Sequence, residues 1–332
     1  MKAVIPVAGA GTNLRPLTYT QPKPLIPVAG KPIISFIIDQ LRGVGIHDFV
    51  FVIGYLGEKI KIWLEEHYPD LNMEFVTQEN REGSGHAIWV AREQLRGADE
   101  IVVFFGDTII DADFQKIMNS DCSCLAVHRV NDPRNFGVVE YEGETGVVTG
   151  MAEKPRIPKS NMAMVGFYKI KEVNSLLDAL DDNIRQNVRT DGEFPLTDGL
   201  MRMVERGACL KIVKVNNWFD CGKKEILLQT NAILLDKEGY ASSDLPNYDN
   251  TIIIHPVSIG HNCNIKNSIV GPHVTIGDNA RIVSSIIKNT IIGNYASLRE
   301  VVLQTSVIGN DTSITGMRQS LNIGDNTEID LS

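Results

Sequence analysis

Two glycines and two cations near the start of the chain have the types and spacing to handle a phosphate. Gly9 and Gly11 alternate with Ala8 and Ala10, directly after an apolar run at residues 3–7 that reads as a buried strand. Without a Cβ in the way, backbone N–H groups of such a turn can approach phosphate oxygens closely. Arg15 and Lys23 follow in a segment broken by Pro16, Pro22, Pro24 and Pro27, and their charge would neutralise that phosphate. The stretch predicts a triphosphate-handling loop. It is neither of the commoner kinds. GxxxxGK[ST] is absent, and Gly11 is followed by Thr12, Asn13 and Leu14, so G-x-G-x-x-G is absent too. The prolines also oppose the long helix that a dinucleotide site of the Rossmann type needs after the turn.

Further along, Asp107 stands in FFGDTII just past a buried run, and Asp220 stands in NNWFDCGKKE. The ordinary use of such an aspartate is a turn or a helix N-cap. Lys154 lies in AEKP behind Glu153, and a lone lysine is ordinarily a solvated surface charge. Gln78 opens TQENREGSGHA, with Gly83 and Ser84 close behind. No Ser-His-Asp or Cys-His constellation is evident.

The elements that must position these residues follow from apolar periodicity. Helices are expected at 33–45, 59–67, 85–95, 171–180, 198–206 and 226–235, and strands at 48–53, 73–77, 100–105 and 210–215. Strands alternating with helices predict an α/β domain with a mostly parallel sheet, whose ligands bind beyond the carboxyl ends of the strands. The glycine loop, Gln78 and Asp107 each directly follow an expected strand. Between 124 and 168, short runs separated by turn residues read as antiparallel strands inserted into, or flanking, that sheet.

A polar stretch at 236–250 reads as a linker. Beyond it aliphatic residues recur every five or six positions, among them Ile259, Ile265, Val270, Ile276, Ile282, Ile287, Ile292, Leu298, Leu303, Ile308 and Ile314. Glycines such as Gly260, Gly277, Gly293, Gly309 and Gly324 often follow them. This hexapeptide period predicts a parallel β-helix of about four coils. His255, His261 and His273 sit near its start without an identifiable partner, so packing or oligomer contacts are the expected use of the repeat.

At 332 residues the chain is long enough for two domains with a sizeable core, and 43% hydrophobic residues mark it as globular. A net charge of −9 disfavours a nucleic-acid surface. Five scattered cysteines without a CxxC pair, and no signal-peptide pattern or long apolar run, predict a reducing, cytoplasmic setting with no membrane partner.

GAGTNLRPLTYTQPKPLIPVAGKP resembles the signature of the sugar-1-phosphate nucleotidylyltransferases, G-x-G-T-R-L-x-P-x-T followed by P-K-x-L-x-P-V-x-x-K-P. The resemblance extends over nearly the whole chain. It implies a Rossmann-like mixed-sheet nucleotidyltransferase domain at 1–235, then the linker, then a left-handed parallel β-helix at 251–332. The implied reaction is attack of a sugar-1-phosphate oxygen on the α-phosphorus of a nucleoside triphosphate, with pyrophosphate leaving and Mg²⁺ as cofactor. A phosphate oxygen is already nucleophilic, so alignment and charge neutralisation suffice.

By the same resemblance Lys23, Lys154, Asp107, Asp220, Arg15 and Asn13 form the catalytic set. Asp107 and Asp220 are the Mg²⁺ ligands, a chemically apt pair because Mg²⁺ favours oxygen and commonly takes one or two carboxylates plus substrate phosphate. Ala8, Gly9, Gly11, Thr12, Gln78, Gly83 and Ser84 would hold the nucleotide. Gly137, Glu153, Lys154, Val165 and Glu193 would hold the sugar phosphate. The Gln78 amide, with one acceptor and two donors, can meet the N3–H and a carbonyl of thymine or uracil. The resemblance implies glucose-1-phosphate with dTTP or UTP as the substrate pair. A mannose-1-phosphate enzyme using GTP is the alternative within the class, and a homo-oligomer is implied. One position departs from the signature: Asn13 stands where the family carries arginine and brings no charge, which favours a weakly active regulatory homologue as a rival. Arg15 is the nearest charged residue to substitute.

Overall fold

The computed structural model describes residues 1–316. The chain divides into two compact units, one of Met1–Pro27 with Lys31–Thr230, the other of Val28–Gly30 with the chain from Asn231 onward.

The first unit is built on a nine-stranded mixed sheet. Its strands are β1 (Lys2–Pro6), β2 (Asp48–Ile53), β3 (Asn72–Thr77) and β4 (Ile101–Phe104), then, after a short strand β5 (Thr108–Asp111) that stays outside the sheet, β6 (Ser123–Arg129), β7 (Val138–Tyr141), β8 (Val148–Ala152), β9 (Met162–Ile170) and β10 (Leu210–Lys214). Parallel pairing runs β3–β2–β1–β4, with Ala3 opposite Phe49 and Val102. β9 then joins β4 antiparallel and carries β6 and β7. The antiparallel strands expected from 124–168 are thus part of the same sheet. β4 is apolar through its length, and β1 and β2 are apolar after their first residues, Lys2 and Asp48, because both faces of the sheet are covered.

Helices α1 (Ile33–Gly43), α2 (Gly57–His67), α3 (Ser84–Val90), α4 (Val173–Arg185), α5 (Leu196–Glu205) and α6 (Lys224–Leu235) fall where periodicity placed them, within a few residues at the ends. The helix expected at 85–95 is interrupted: α3 stops at Val90, and Arg92–Leu95 forms a separate turn. Under the sheet Ile34, Ile37, Ile38 and Leu41 of α1 meet Ile5 and Phe51 in one core, while Leu176, Leu177 and Leu180 of α4 meet Val4 and Val103 in the core on the other face.

In the second unit three four-stranded parallel sheets stack coil upon coil, the parallel β-helix of the expected fold class. Register sets the coil length. Ile252 pairs with Ile269 and Ile269 with Ile286, a step of 17 residues, whereas Ile286 pairs with Val302, a step of 16. The coils are therefore shorter than three full hexapeptides, which is why the aliphatic spacing alternates between five and six. Left-handed backbone recurs at the corners, at Asn262, Asn267, Asn279 and Asn289 among others. Asparagine tolerates that conformation because its short amide can bond locally. Corner amides are satisfied from the next coil: His261 N–H donates to Asp278 Oδ1 at 2.7 Å, Asp278 N–H to Asn294 Oδ1 at 2.8 Å, and Asn294 N–H to Asn310 Oδ1 at 2.8 Å. Of the histidines there, His261 faces Asp278 and His273 faces Asp236. Gly324 and the remainder of the repeat from 317 lie outside the described residues.

Candidate active site

The strand order reverses direction between β1 and β4, which makes the carboxyl ends of this pair the topological switch point of the sheet. The two loops that leave those ends carry the glycine turn with Lys23 and the expected metal ligand Asp107. Past β1, Val7 N–H still bonds Val52 O, and the chain then breaks into the glycine turn and three short 3-10 turns at Thr12–Leu14, Leu17–Tyr19 and Lys23–Leu25. Prolines at 16, 22, 24 and 27 hold it in these turns rather than a helix. Gly11 has φ +60°, and a Cβ there would stand 3.1 Å from Lys23 Cβ, so the turn closes tightly on the lysine.

Past β4 comes Asp107. It is joined to Asp220, 113 positions later, by an antiparallel ribbon of β5 with β11 (Asn217–Asp220), in which Asp220 pairs with Thr108 and Cys221 N–H donates to Asp107 O. Lys23 reaches into this corner. Its ammonium donates to Asp107 Oδ2 at 2.6 Å and lies 3.9 Å from Asp220 Oδ1. Desolvation pushes the Asp107 carboxyl up, but the charge and hydrogen bond of Lys23 outweigh it and hold Asp107 below the usual range. Asp220 is pushed up, by desolvation and then by the Asp107 charge, with Lys23 only partly offsetting them. Burial would lower Lys23, yet the two carboxylates raise it.

Two carboxylates converging on one point offer hard oxygen ligands and fit Mg²⁺. Among the described residues no group of three or more His, Cys, Asp or Glu gathers, so an ion at this pair would complete its shell with phosphate oxygens and water. Cys221 adds no ligand: it is fully buried, and burial pushes its thiol up to about 12.

Two cavities meet here. The smaller, about 230 Å³, is lined by Gly9, Gly11, Lys23, Ser84, Phe105 and Asp107 among others. The larger, about 380 Å³, shares Ser84, Phe105 and Asp107 with it and continues past Gly137, Glu153, Lys154, Val165, Glu193 and Asp220. All five residues expected at the sugar phosphate therefore line one cleft. Lys154 sits at φ +40° with its N–H donating to Phe136 O, a conformation unusual for a lysine and found where backbone is over-determined by its surroundings. The Glu153 carboxyl is raised by burial, against the hydrogen bond from Thr197 Oγ1 at 2.5 Å and the Lys154 charge. Gly137 lies under this pair: a Cβ would stand 3.0 Å from both Glu153 Oε2 and Thr197 Oγ1.

Gln78 directly follows β3 and is buried. Its Nε2 donates to Gly83 O at 3.2 Å and faces His86 Nδ1 at 3.0 Å. Both amide hydrogens are thus engaged, and the carboxamide oxygen alone remains for a base edge, where the sequence suggested a donor as well. His86 accepts at Nδ1, so its proton sits on Nε2, 3.7 Å from Glu82. Burial lowers the His86 pKa, against the Glu82 charge, and keeps the ring neutral. His86→Phe removes the acceptor that fixes this amide. We expect nucleotide affinity to fall about tenfold, the worth of one hydrogen bond lost from a buried group, measured by titration with each nucleotide.

Several expected residues lie apart from both cavities. Asn13 is exposed on the first 3-10 turn, and Arg15 stacks over Tyr19 with its guanidinium carbon 5.0 Å from the ring centroid. Ala8, Thr12, Gln78 and Gly83 flank the cavities without lining them. Conversely, Thr197, His86, Tyr168 and Trp218 belong to the site and were not singled out from sequence. No motif marks Thr197, His86 or Tyr168; Trp218 opens the W-x-D-x-G pattern that carries Asp220.

A family model described as nucleotidyl transferase matches residues 2–237. The chain belongs to the nucleotidyl transferase family. It is an enzyme of the nucleotidyltransferase type. Among its relatives, the bifunctional protein GlmU of Methanocaldococcus jannaschii is 34% identical over 239 residues, which are 71% of this chain and 55% of GlmU. The chain therefore spans little more than half the length of that relative. Glucose-1-phosphate thymidylyltransferase of Streptomyces antibioticus is 27% identical over 330 residues, 96% of this chain and 90% of the other. Among solved structures, a candidate glucose-1-phosphate thymidylyltransferase of Bacillus anthracis in complex with a sucrose matches this nucleotidyltransferase with TM-score 0.61 and 25% identity, over 72% of this chain and 96% of its own. A UDP-glucose pyrophosphorylase complexed with UDP-glucose shares the fold, with TM-score 0.62 over 70% of this chain and 97% of its own at 23% identity. No described helix of this nucleotidyltransferase is long and apolar enough to cross a membrane.

Proposed function

We propose that the chain transfers a nucleotidyl group, from dTTP or UTP, to glucose-1-phosphate with release of pyrophosphate. The observation that carries this reading is the pair of abutting clefts that share Asp107 and Ser84: one is walled by the glycine turn and Lys23, the other by Glu153, Lys154 and Glu193. A triphosphate in the first and a sugar phosphate in the second would meet at the carboxylate corner. The named activities of the relatives, thymidylyl transfer to glucose-1-phosphate among them, support the same substrates.

In this reading the glycine turn cradles the triphosphate, Lys23 neutralises it, and Lys154 holds the sugar phosphate so that one of its oxygens faces the α-phosphorus. Glu153, clamped by Thr197, accepts from sugar hydroxyls. The Gln78 oxygen accepts an N–H from the base, as thymine and uracil present at N3 and guanine at N1; GTP with mannose-1-phosphate is the alternative pair. Asp107 and Asp220 would hold Mg²⁺, which when bound offsets the negative charge of the triphosphate. Alignment and charge neutralisation then carry the reaction without a general base.

Pyrophosphate release with Mg²⁺, glucose-1-phosphate and each nucleoside triphosphate in turn tests the proposal. Turnover with dTTP or UTP is expected; silence with both overturns it. Exposed Asn13 favours a second reading, a weakly active homologue that binds nucleotide sugars. A charge-assisted hydrogen bond to phosphate contributes about 1.5–3 kcal/mol. Asn13→Arg is therefore expected to raise kcat/KM by about 10- to 100-fold. An unchanged rate would mean that arginine at 13 does not reach the triphosphate.

A further inference from the structure

Apart from the catalytic clefts, the first unit holds a wider cavity of about 820 Å³. It is walled by the end of β6 (Val127, His128, Arg129), by the 158–162 segment, and by Pro133, Tyr141 and Lys214. Four of the lining residues, His128, Arg129, Lys159 and Lys214, are basic and none is acidic. In a chain of net charge −9 that concentration runs against the overall balance. Cations gathered in a concave site raise the local concentration of anions.

The individual side chains are placed for such a use. Lys159 and Lys214 are exposed, and among the described residues neither is paired with a carboxylate. The Lys214 ammonium lies 5.9 Å from the Tyr141 ring centroid. Arg129 is braced: with the Asn161 amide assigned oxygen-inward, that oxygen accepts from Arg129 Nε at 2.9 Å and Nη2 at 3.3 Å, leaving Nη1 open. The nearest acid on the β6–β7 connection, Asp132, is tied to Arg134 at 2.7 Å and so does not neutralise the cavity. Tyr141, Pro133, Pro158 and Met162 add a flat and apolar wall.

We propose that this cavity is a second binding site, for a nucleoside diphosphate or a compound built on one, with its phosphates on Lys159, Lys214 and Arg129 and its base against Tyr141. Cations in a group with an aromatic face match the two halves of such a ligand. The proposal does not rest on the catalytic reading. Three segments run from the cavity directly into the larger catalytic cleft: Pro133 leads to Phe136 and Gly137, the 158–162 segment lies between Lys154 and Val165, and Lys214 leads to Trp218 and Asp220. A ligand bound here thus holds the same segments that wall the catalytic cleft.

Calorimetric titration of the whole chain with uridine diphosphate, without Mg²⁺ and at two salt concentrations, tests it. Two equivalents are expected in the native chain. Lys159→Ala with Lys214→Ala is expected to weaken one of them at least tenfold, while Lys23→Met, in the catalytic corner, leaves that one in place. Its affinity should fall as salt rises. Tyr141→Ala alone should weaken uridine diphosphate more than inorganic pyrophosphate. A titration that the double lysine variant leaves unchanged, whether the native chain binds one equivalent or two, overturns the proposal. Equal losses of both probes in Tyr141→Ala overturn the assignment of the base to that wall. Both lysines are exposed and lack carboxylate partners among the described residues, so the double variant is expected to melt with the native chain; Lys159→Ala by itself serves if it does not.

Discussion

Asp107→Asn is expected to lower kcat/KM about a thousandfold, roughly 4 kcal/mol of lost transition-state stabilisation. Asparagine keeps the size of the side chain, so the β5–β11 ribbon should hold its register and Asp220 its place. The charge is what disappears. In the native chain Asp107 is kept ionised by Lys23, whereas Asp220 is pushed toward the neutral form by its surroundings and by Asp107. The position lost is thus the more dependable anion of the pair. Steady-state rates over a range of Mg²⁺ concentrations check this, with the unfolding midpoint as control. If turnover survives and only the midpoint moves, Asp107 is an ordinary turn residue and the carboxylate pair is not the seat of the reaction.

Lys23→Met should produce the second large change, and it separates two roles. With the ammonium gone, Asp107 and Asp220 face each other without a counter-ion. Breaking a fully buried pair costs about 3–5 kcal/mol. Here the carboxylates keep 40% and 36% of their side-chain surface, so solvent screening reduces the expected loss of stability to about 1–2 kcal/mol. The pH dependence has a definite sign. Asp107 is held below its unfolded value, so its contribution is present above the ordinary carboxylate range and is lost as pH falls through the lowered value. The stability advantage of the native chain over Lys23→Met should therefore be full near neutrality and vanish in acid. Mg²⁺ should raise the melting temperature of the variant more than that of the native chain, because in the native chain it competes with the ammonium for the same oxygens. Equal shifts in both proteins would mean that the ion does not bind between these carboxylates. Turnover should fall by about 10²–10³ as well, the scale seen when one charged stabiliser of the transition state is removed.

Much of this protein is local, and what is local was legible in the sequence. Alternation of buried strands with amphipathic helices comes from side-chain periodicity, so α1, α2, β2, β3 and β4 appear where apolar spacing puts them. Prolines at 16, 22, 24 and 27 exclude a helix after the glycine turn by sterics alone, and three 3-10 turns are found there. The aliphatic repeat beyond 250 dictates stacked coils, since each inward residue must bury against its counterpart one coil away. The motif residues of the glycine turn and of AEKP were legible too, down to the exposed departure at Asn13.

Tertiary structure decided the rest, because it depends on which distant segments pair. Periodicity does not say that Asp107 and Asp220 lie together; the family resemblance paired them as metal ligands, and the register of the β5–β11 ribbon is what brings them to one corner. Thr197 clamps Glu153 and His86 anchors Gln78 through single hydrogen bonds made by ordinary residue types, which leave no pattern along the chain. The engagement of both Gln78 amide hydrogens, and the coil steps of 17 and 16 rather than 18, are likewise matters of packing. The basic cavity gathers Arg129, Lys159 and Lys214 from three separate strands and loops. Each is an unremarkable surface cation in the sequence, and only folding sets their like charges around one space.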